Sequence, residues 1–323
     1  MPISLLRKLF SNPPPPEPAP PPYQPDFSEV RGQPFVKRAI EVAVAGGHNV
    51  IMIGPPGSGK SMLSKRVPSI LPPLTEQDLN YIHTVYQLAG QRFTGTQPPF
   101  QAPHHTASYA ALIGGGNSKP KPGMITLAHL GVLFLDELPE FNRRTLESLR
   151  QPMEDGRVTV ARTNGTATYP SSFMLIAAMN PCPCGMAGSA NVCKCNPKEV
   201  KKYRQRVSGP LMDRIDIHVQ VPAVSFDTLR GEEGEPSANI RQRILGARFR
   251  QYTRAGKLNT SLEIGNFDTI DIALAAQLLN PGLSARSYVR VLRVARTIAD
   301  LSASVRISKN HILEALSYRI IEK

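Results

Sequence analysis

From Phe27 onward, apolar residues fall into runs that alternate between helical spacing and short continuous stretches. Gln33 to Gly46 repeats its apolar positions at helical spacing and predicts a helix. Asn49-Val50-Ile51-Met52-Ile53 predicts a strand, followed by a second helix over Lys60 to Ile70. Gly131-Val132-Leu133-Phe134-Leu135 and Phe173 to Met179 are apolar runs of the length expected for strands buried on both faces. Arg157 to Phe173 alternates around Asn164-Gly165, a strong hairpin signal. After Pro222 the chain turns polar and acidic through Gly231-Glu232-Glu233-Gly234-Glu235-Pro236, which predicts a linker, and Ser237 to Lys323 is helical in period throughout, which predicts a small bundle. Upstream, residues 11–25 hold nine prolines and read as an extended, semi-rigid spacer. It sets off Met1 to Phe10, whose Leu5, Leu6, Leu9 and Phe10 with Arg7 and Lys8 suit either a small docking or membrane-touching helix or a disordered terminus. The divisions are therefore an N-terminal segment and proline-rich spacer (1–26), a mixed α/β unit (27–222), a linker (223–236) and a helical unit (237–323).

Two short motifs give this pattern its chemistry. Gly54-Pro55-Pro56-Gly57-Ser58-Gly59-Lys60-Ser61 matches a phosphate-binding loop at every fixed position and sits between a strand and a helix. The glycines let backbone N–H groups turn toward a phosphate, the following helix adds its N-terminal dipole, and Lys60 and Ser61 are placed to serve the β/γ-phosphates and Mg²⁺. ATP or GTP is the implied ligand. Further on, the strand ending Phe134-Leu135 runs into Asp136 and Glu137. Asp136 is placed to hold Mg²⁺ through water and Glu137 to polarise an attacking water, so the pair points to hydrolysis and not to binding alone.

Composition narrows the partners. A chain of 323 residues with 41% hydrophobic positions has enough material for a core, and its net charge of +13 points to a polyanion, most simply nucleic acid. No apolar run is long enough to span a membrane, and the first ten residues are too short and interrupted for a signal peptide, so a cytoplasmic protein is expected. All four cysteines, Cys182, Cys184, Cys193 and Cys195, form a C-x-C-x8-C-x-C array. In a cytoplasmic chain this is either a tetrahedral structural Zn²⁺ site or four reduced thiols in a loop. His104 and His105, with nothing nearby to complete a metal set, read as structural.

The ordered blocks resemble the magnesium-chelatase-like AAA+ ATPases, and specifically the ComM/YifB family. They are Gly46-Gly47-His48-Asn49, Pro103-His104-His105-Thr106-Ala107-Ser108, Phe134 to Phe141, Ala178-Met179-Asn180-Pro181-Cys182-Pro183-Cys184-Gly185, Ser208 to Asp216, and Leu283-Ser284-Ala285-Arg286 ahead of Arg293 to Leu301. The resemblance implies a P-loop AAA+ core, with a parallel sheet flanked by helices and β-hairpin insertions, followed by a C-terminal helical lid. It implies ATP and Mg²⁺ as cofactors and a ring, taken as a hexamer. Asn180 would be the sensor that orients the attacking water, Arg214 the finger supplied to a neighbour's ATP, and Arg286 the second sensor; salt bridges to Asp213 or Asp216, or a solvated basic face with Arg290 and Arg293, are the plainer alternatives for the two arginines. The hairpin with Arg157, Arg162 and Asn164 resembles a pore hairpin that touches DNA, with Lys119 and Lys121 in a second pore loop; an ordinary surface hairpin is the alternative. The basic run Lys198, Lys201, Lys202, Arg204 and Arg206 would face DNA or the next subunit. Family members carry a Lon-like domain ahead of the ATPase, where this chain has 26 residues. That departure implies a shortened natural form or a fragment.

The activity expected on this basis is an ATP-hydrolysing motor that migrates DNA branches, acting on single-stranded or branched DNA in recombination or natural transformation. A protein-remodelling motor, like the one that drives metal insertion in magnesium chelatase, is the alternative. A nucleotide-gated module without turnover fits less well with the presence of Glu137, Asn180 and Arg214 together.

Overall fold

A computed structural model describes residues 25–187, 192–279 and 284–319; the sequence expectations for Met1 to Phe10, for most of the proline-rich spacer and for Leu283 lie outside them. Helix α1 (Pro34–Gly46) leads into β1 (Val50–Ile53), the phosphate loop and α2 (Lys60–Arg66). Then come α3 (Glu76–Leu88), β2 (Phe100–Gln101), the two-residue strands β3 (Gly114–Gly115) and β4 (Lys121–Pro122), and β5 (Val132–Leu135). Helix α4 (Arg150–Asp155) precedes the hairpin β6 (Arg157–Arg162) and β7 (Gly165–Pro170), and β8 (Met174–Met179) follows. After α5 (Pro197–Arg204) and β9 (Ile217–Gln220), the chain closes with α6 (Ser237–Ala255), α7 (Thr269–Leu278), α8 (Ala285–Leu301) and α9 (Lys309–Ser317).

Five strands form one parallel sheet in the order β2-β5-β8-β1-β9. Parallel strands need helical crossovers, which cover both faces, and the burial follows the two-residue period of the strands. Val50, Met52, Val132, Phe134, Ile176 and Ala178 join a core with α1 and the C-terminal helices. Ile51, Leu133, Leu135, Leu175 and Ala177 point the other way, into a second core with Leu149, Tyr203 and Leu211. This is the α/β class expected, a parallel sheet flanked by helices.

Three local readings are corrected, and one strand is added that the sequence pattern did not show. The helix expected over Lys60 to Ile70 stops at Arg66, and Val67–Ser69 tightens to a 3₁₀ turn. Pro68 lacks the N–H that an α-helix would use there. The hairpin turn falls on Thr163-Asn164, because Arg162 pairs with Gly165; the glycine, at φ 141°, begins the second strand. The stretch between the two nucleotide motifs contributes β2 to the sheet edge, a strand too short to register as a hydrophobic run. The segment expected as a linker holds a helix at Phe226–Arg230, and the Gly234 N–H donates to the Ser28 carbonyl at 2.6 Å. A Cβ on Gly234 would lie 2.5 Å from the Val30 carbonyl, so this segment is packed against the start of the α/β unit.

Nor does the helical unit stand apart. Val291, Leu292 and Ile298 of α8 share the first core with Ile40 and Val44 of α1, and the His218 N–H on β9 donates to the Tyr318 carbonyl at 2.7 Å. Between them lies a buried polar network. His48 is fully buried, its Nδ1 3.0 Å from Asp216 Oδ2 and its Nε2 2.8 Å from Thr297 Oγ1 on α8. Burial alone would raise the Asp216 carboxyl; the His48 hydrogen bond, with the charges of Arg290 and Arg293, holds it below the usual carboxylate range. Asn259 Nδ2 donates both to Thr297 Oγ1 and to Asp300 Oδ2, and Arg254 pairs with Asp300 at 2.7 Å.

This explains the run Gly46-Gly47-His48-Asn49. Gly47 adopts φ 73°, and a Cβ on Gly46 would fall 2.3 Å from His48 Nε2 and 2.5 Å from Thr297 Oγ1. Gly46→Ala is therefore expected to destabilise the fold by roughly 3 kcal/mol, combining overpacking with loss of a buried hydrogen bond. Urea unfolding checks this; a change below about 1 kcal/mol would mean that the network tolerates displacement of His48.

Candidate nucleotide-binding and catalytic site

The phosphate loop hangs between the carboxyl end of β1 and α2. Gly57 and Gly59 adopt φ 74° and 89°, left-handed conformations that side chains other than glycine rarely take. A Cβ on Gly57 would meet nothing within 4 Å, whereas one on Gly54 would strike the Val221 carbonyl at 2.2 Å. Gly54 thus seats the loop on the strand end, and Gly57 keeps its outer face open for close approach. Lys60 Nζ donates to the Gly54 and Pro55 carbonyls at 2.7 and 2.9 Å and lies 3.4 Å from Asn180 Oδ1. Burial lowers the Lys60 ammonium from its ordinary range, and the charges of Asp136 and Glu137 partly offset this. Ser61 Oγ donates to Asp136 Oδ2 at 2.5 Å, which places beside the loop the two oxygens that would serve Mg²⁺. At the loop's flank Gln33 donates from Nε2 to the Ser58 carbonyl at 2.7 Å, while its buried Oε1 has no partner among the described residues.

Sheet order assembles the candidate catalytic groups. Because β5, β8 and β1 are adjacent and parallel, Asp136 and Glu137, Asn180 and the phosphate loop all emerge at their carboxyl ends. Glu137 adopts φ 51°, unusual for a residue with a side chain. Its Oε2 lies 3.1 Å from His105 Nδ1, and the His104 and His105 rings sit 4.0 Å apart. His104 in turn bonds Thr106 Oγ1 at 2.8 Å. Sequence reasoning set both histidines aside as structural, yet His105 touches the candidate catalytic acid. The missed signal was β2: its two residues pair with β5, so the loop after it reaches the end of the neighbouring strand.

Arg214 and Arg286 belong to the opposite end of the sheet. Asn49, which precedes β1, donates from Nδ2 to the Arg214 carbonyl at 3.1 Å and accepts from the Leu175 N–H at 2.8 Å. Arg214 is thus tied to the amino ends of β1 and β8, about 13 Å of strand away from its own phosphate loop. Arg214 Nη2 pairs with Glu154 Oε1 at 2.6 Å, and Nη1 donates to the Pro210 carbonyl at 2.7 Å. Arg286 Nη2 reaches the same Glu154 oxygen at 3.8 Å. Asp213 and Asp216, considered as partners for Arg214, instead face Arg290 at 3.8 and 3.6 Å. Arg290 is buried and Arg293 donates to the Leu262 carbonyl, which corrects the reading of these two as a solvated basic face.

The two hairpins expected to act together are joined. The Asn164 N–H donates to the Ser118 carbonyl at 3.1 Å, and the Tyr169 hydroxyl to the Pro120 carbonyl at 2.9 Å. Arg162 spends its guanidinium on the carbonyls of Gly116, Ala161 and Gly114, so it staples the two tips together and does not project as a free cation. Arg157 pairs with Pro170 at the hairpin's base, not its tip. Lys119 and Lys121 are exposed near the joined tips, and Lys198, Lys201, Lys202 and Arg204 are exposed on α5, while Arg206 pairs with Glu140 at 2.8 Å.

The cysteine array closes on itself. The sulfur of Cys182 lies 3.4 Å from that of Cys184 and 3.7 Å from that of Cys193, and Cys184 lies 3.6 Å from Cys193; with Cys195 the four sulfurs fit within 4.8 Å of one another. Zn–S bonds of about 2.3 Å in a tetrahedron separate sulfurs by roughly 3.8 Å, so the donor set and its spacing fit zinc. Backbone N–H groups of Met186 and Lys194 hold the Cys184 thiol down to about 6.

A family model described as magnesium chelatase, subunit ChlI, matches residues 26–229, and one described as magnesium chelatase, subunit ChlI C-terminal, matches residues 234–319. The YifB protein of Escherichia coli is 44% identical over 313 residues, covering 93% of this chain and 61% of the relative. The competence protein ComM of Haemophilus influenzae is 42% identical over 309 residues, 91% of this chain and 60% of the relative. A magnesium-chelatase 67 kDa subunit of Chlorobaculum parvum is 24% identical over 292 residues, 81% of this chain and 41% of the relative. The chain thus spans about three fifths of the length of its YifB and ComM relatives. Among the described residues no helix is long and apolar enough to cross a membrane.

Proposed function

We propose, for a chain that belongs to the magnesium chelatase subunit ChlI family of AAA+ ATPases, that it is a ring-forming, ATP-driven motor that moves along or remodels DNA, with branch migration as its activity. The convergence of Lys60, Ser61, Asp136, Glu137 and Asn180 at one end of the sheet carries the hydrolytic part of the reading. Mg²⁺-ATP supplies the phosphoryl group and its charge neutralisation. Backbone N–H groups of Gly57 to Lys60 and the Lys60 ammonium would bind the phosphates, Ser61 and Asp136 would hold the cation, Glu137 would take the proton of the attacking water, and Asn180 would orient that water. Arg214 and Arg286, held at the far end of the sheet, serve the nucleotide of an adjoining copy, where a guanidinium stabilises charge on the transferring group. Zn²⁺ on the four cysteines is structural.

For DNA the supporting observation is the joined double hairpin with exposed Lys119 and Lys121, on a chain of net charge +13. Cations at such tips hold phosphates without reading sequence. Steady-state hydrolysis measured with single-stranded, duplex and four-way branched DNA at two salt concentrations tests this. The expected result is salt-sensitive stimulation, greatest with branched DNA, with the stimulated increment cut about tenfold in Lys119→Glu/Lys121→Glu through lost phosphate contacts. Hydrolysis indifferent to all three DNAs would favour a protein-remodelling motor. One observation points that way: Arg162, a cation expected at the tip, is consumed within the loops.

A further inference from the structure

The cysteine knuckle does not hang free; it is built onto the groups that would face a γ-phosphate. Cys182 follows Asn180 by two residues, at the end of β8. Gly185 adopts φ 80° and packs so tightly on the phosphate loop that a Cβ there would lie 2.6 Å from Pro56 Cδ and 3.9 Å from Asn180 Cγ. The Ala187 N–H donates to the Cys182 sulfur at 3.3 Å, fixing the turn that carries Gly185. From Cys195 the chain passes straight into α5, whose first turn is closed by Asn196 and Glu199 in reciprocal hydrogen bonds. Helix α5 then brings the buried Tyr203 phenol back near the Asn180 backbone, and Arg204 Nε lies 3.4 Å from the Pro181 carbonyl. Asn180, whose Oδ1 is 3.4 Å from Lys60 Nζ, is therefore gripped from both ends of one cysteine-closed loop.

We propose that the four-cysteine zinc site is a positioning element of the nucleotide site, fixing the Asn180 carboxamide and the Pro56 side of the phosphate loop in the geometry that hydrolysis requires. The inference rests on the readings of the loop as an ATP site and of the cysteines as a zinc site. Four thiols crossing one loop cannot bury an apolar plug of comparable size, and one tetrahedral ion with four thiolates, its protons released on binding, closes the loop instead. Zinc loss frees Gly185 from Pro56 and loosens α5, so Asn180 shifts relative to Lys60. Displacement of about 1 Å at such a group costs on the order of 10²-fold in rate.

The test uses the full chain purified without chelator. Metal analysis is expected to give about one zinc per chain, matching a single four-thiolate site, and Co²⁺ exchange is expected to give the absorption of a tetrahedral tetrathiolate centre. Stripping the zinc is expected to lower hydrolysis about 10²-fold and to weaken binding of a fluorescent ATP analogue, with both restored by added Zn²⁺. Gly185→Ala, which leaves the cysteines intact, is expected to retain zinc yet lose rate in the same way, and it separates knuckle-to-loop contact from loss of the fold. Zinc-loaded and stripped protein with equal rates and equal analogue affinity overturns the proposal while leaving the zinc site standing. Absence of zinc and of the cobalt spectrum overturns it together with the zinc reading. Failure of zinc-loaded protein to bind the analogue at all overturns it through the ATP reading.

Discussion

Glu137→Gln is expected to cut steady-state ATP hydrolysis by about 10²–10⁴-fold, the range for removal of a positioned general base, while ATP binding persists. The exchange is isosteric and leaves Asp136, Ser61 and the phosphate loop in place, so the nucleotide should be trapped. Size-exclusion chromatography with ATP should show an assembly more persistent than that of the unaltered chain. The structure adds a complication to this result, because Glu137 is not free: its Oε2 lies 3.1 Å from His105 Nδ1 and its backbone sits at φ 51°. In this arrangement His105 restrains the carboxylate, and a reacting water must displace that contact or share it. Hydrolysis of Glu137→Gln at the unaltered rate would remove Glu137 from the reaction.

Arg214→Ala is expected to lower turnover by about 10³-fold or more, the scale of an arginine supplied to a phosphoryl-transfer site, with ATP affinity little changed. The carbonyl of Arg214 is anchored through Asn49 at the amino end of β1, opposite the phosphate loop of the same chain. On the proposed reading the guanidinium serves a nucleotide presented by another copy. Mixing Arg214→Ala with Lys60→Ala tests this directly. One variant retains an intact phosphate loop and the other an intact arginine, so a shared site regains activity that neither has alone. Full activity of Arg214→Ala by itself, or mixtures with no recovery at any ratio, would exclude the role in trans. In the single chain Glu154 occupies both Arg214 and Arg286, two residues before Gly156 and the hairpin begin. Release of these arginines toward a neighbouring nucleotide leaves that carboxylate without its partners at the root of the hairpin.

Much of this site was legible in the residues. Gly54 to Ser61 and the acids after Leu135 are local motifs whose chemistry follows from residue type and spacing, and the strands beside them are continuous apolar runs. Asn180 was placed by resemblance, and the structure sets its carboxamide against Lys60. Less visible was everything joined through short or irregular elements. Two-residue β2 carries no periodic signal, so the approach of His105 to Glu137 could not be read. The hairpin was recognised, but its register was not, since Asn-Gly favours a turn without specifying which pair of residues occupies its centre. Arg162 shows the same limit at the level of charge: a cation at a tip looks available until the carbonyls that bind it are seen.

The sequence by itself determined the α/β alternation, the phosphate loop, the acid pair and the cysteine array, because each depends on interactions within one or two elements. Tertiary structure alone decided that His105 meets Glu137, that Asn49 anchors Arg214 away from its own loop, and that the cysteine knuckle bears on Pro56 and Asn180. Those contacts join residues far apart in the chain, and they exist only once the strand order β2-β5-β8-β1-β9 is set by burial of both sheet faces, a global packing choice that no local period encodes.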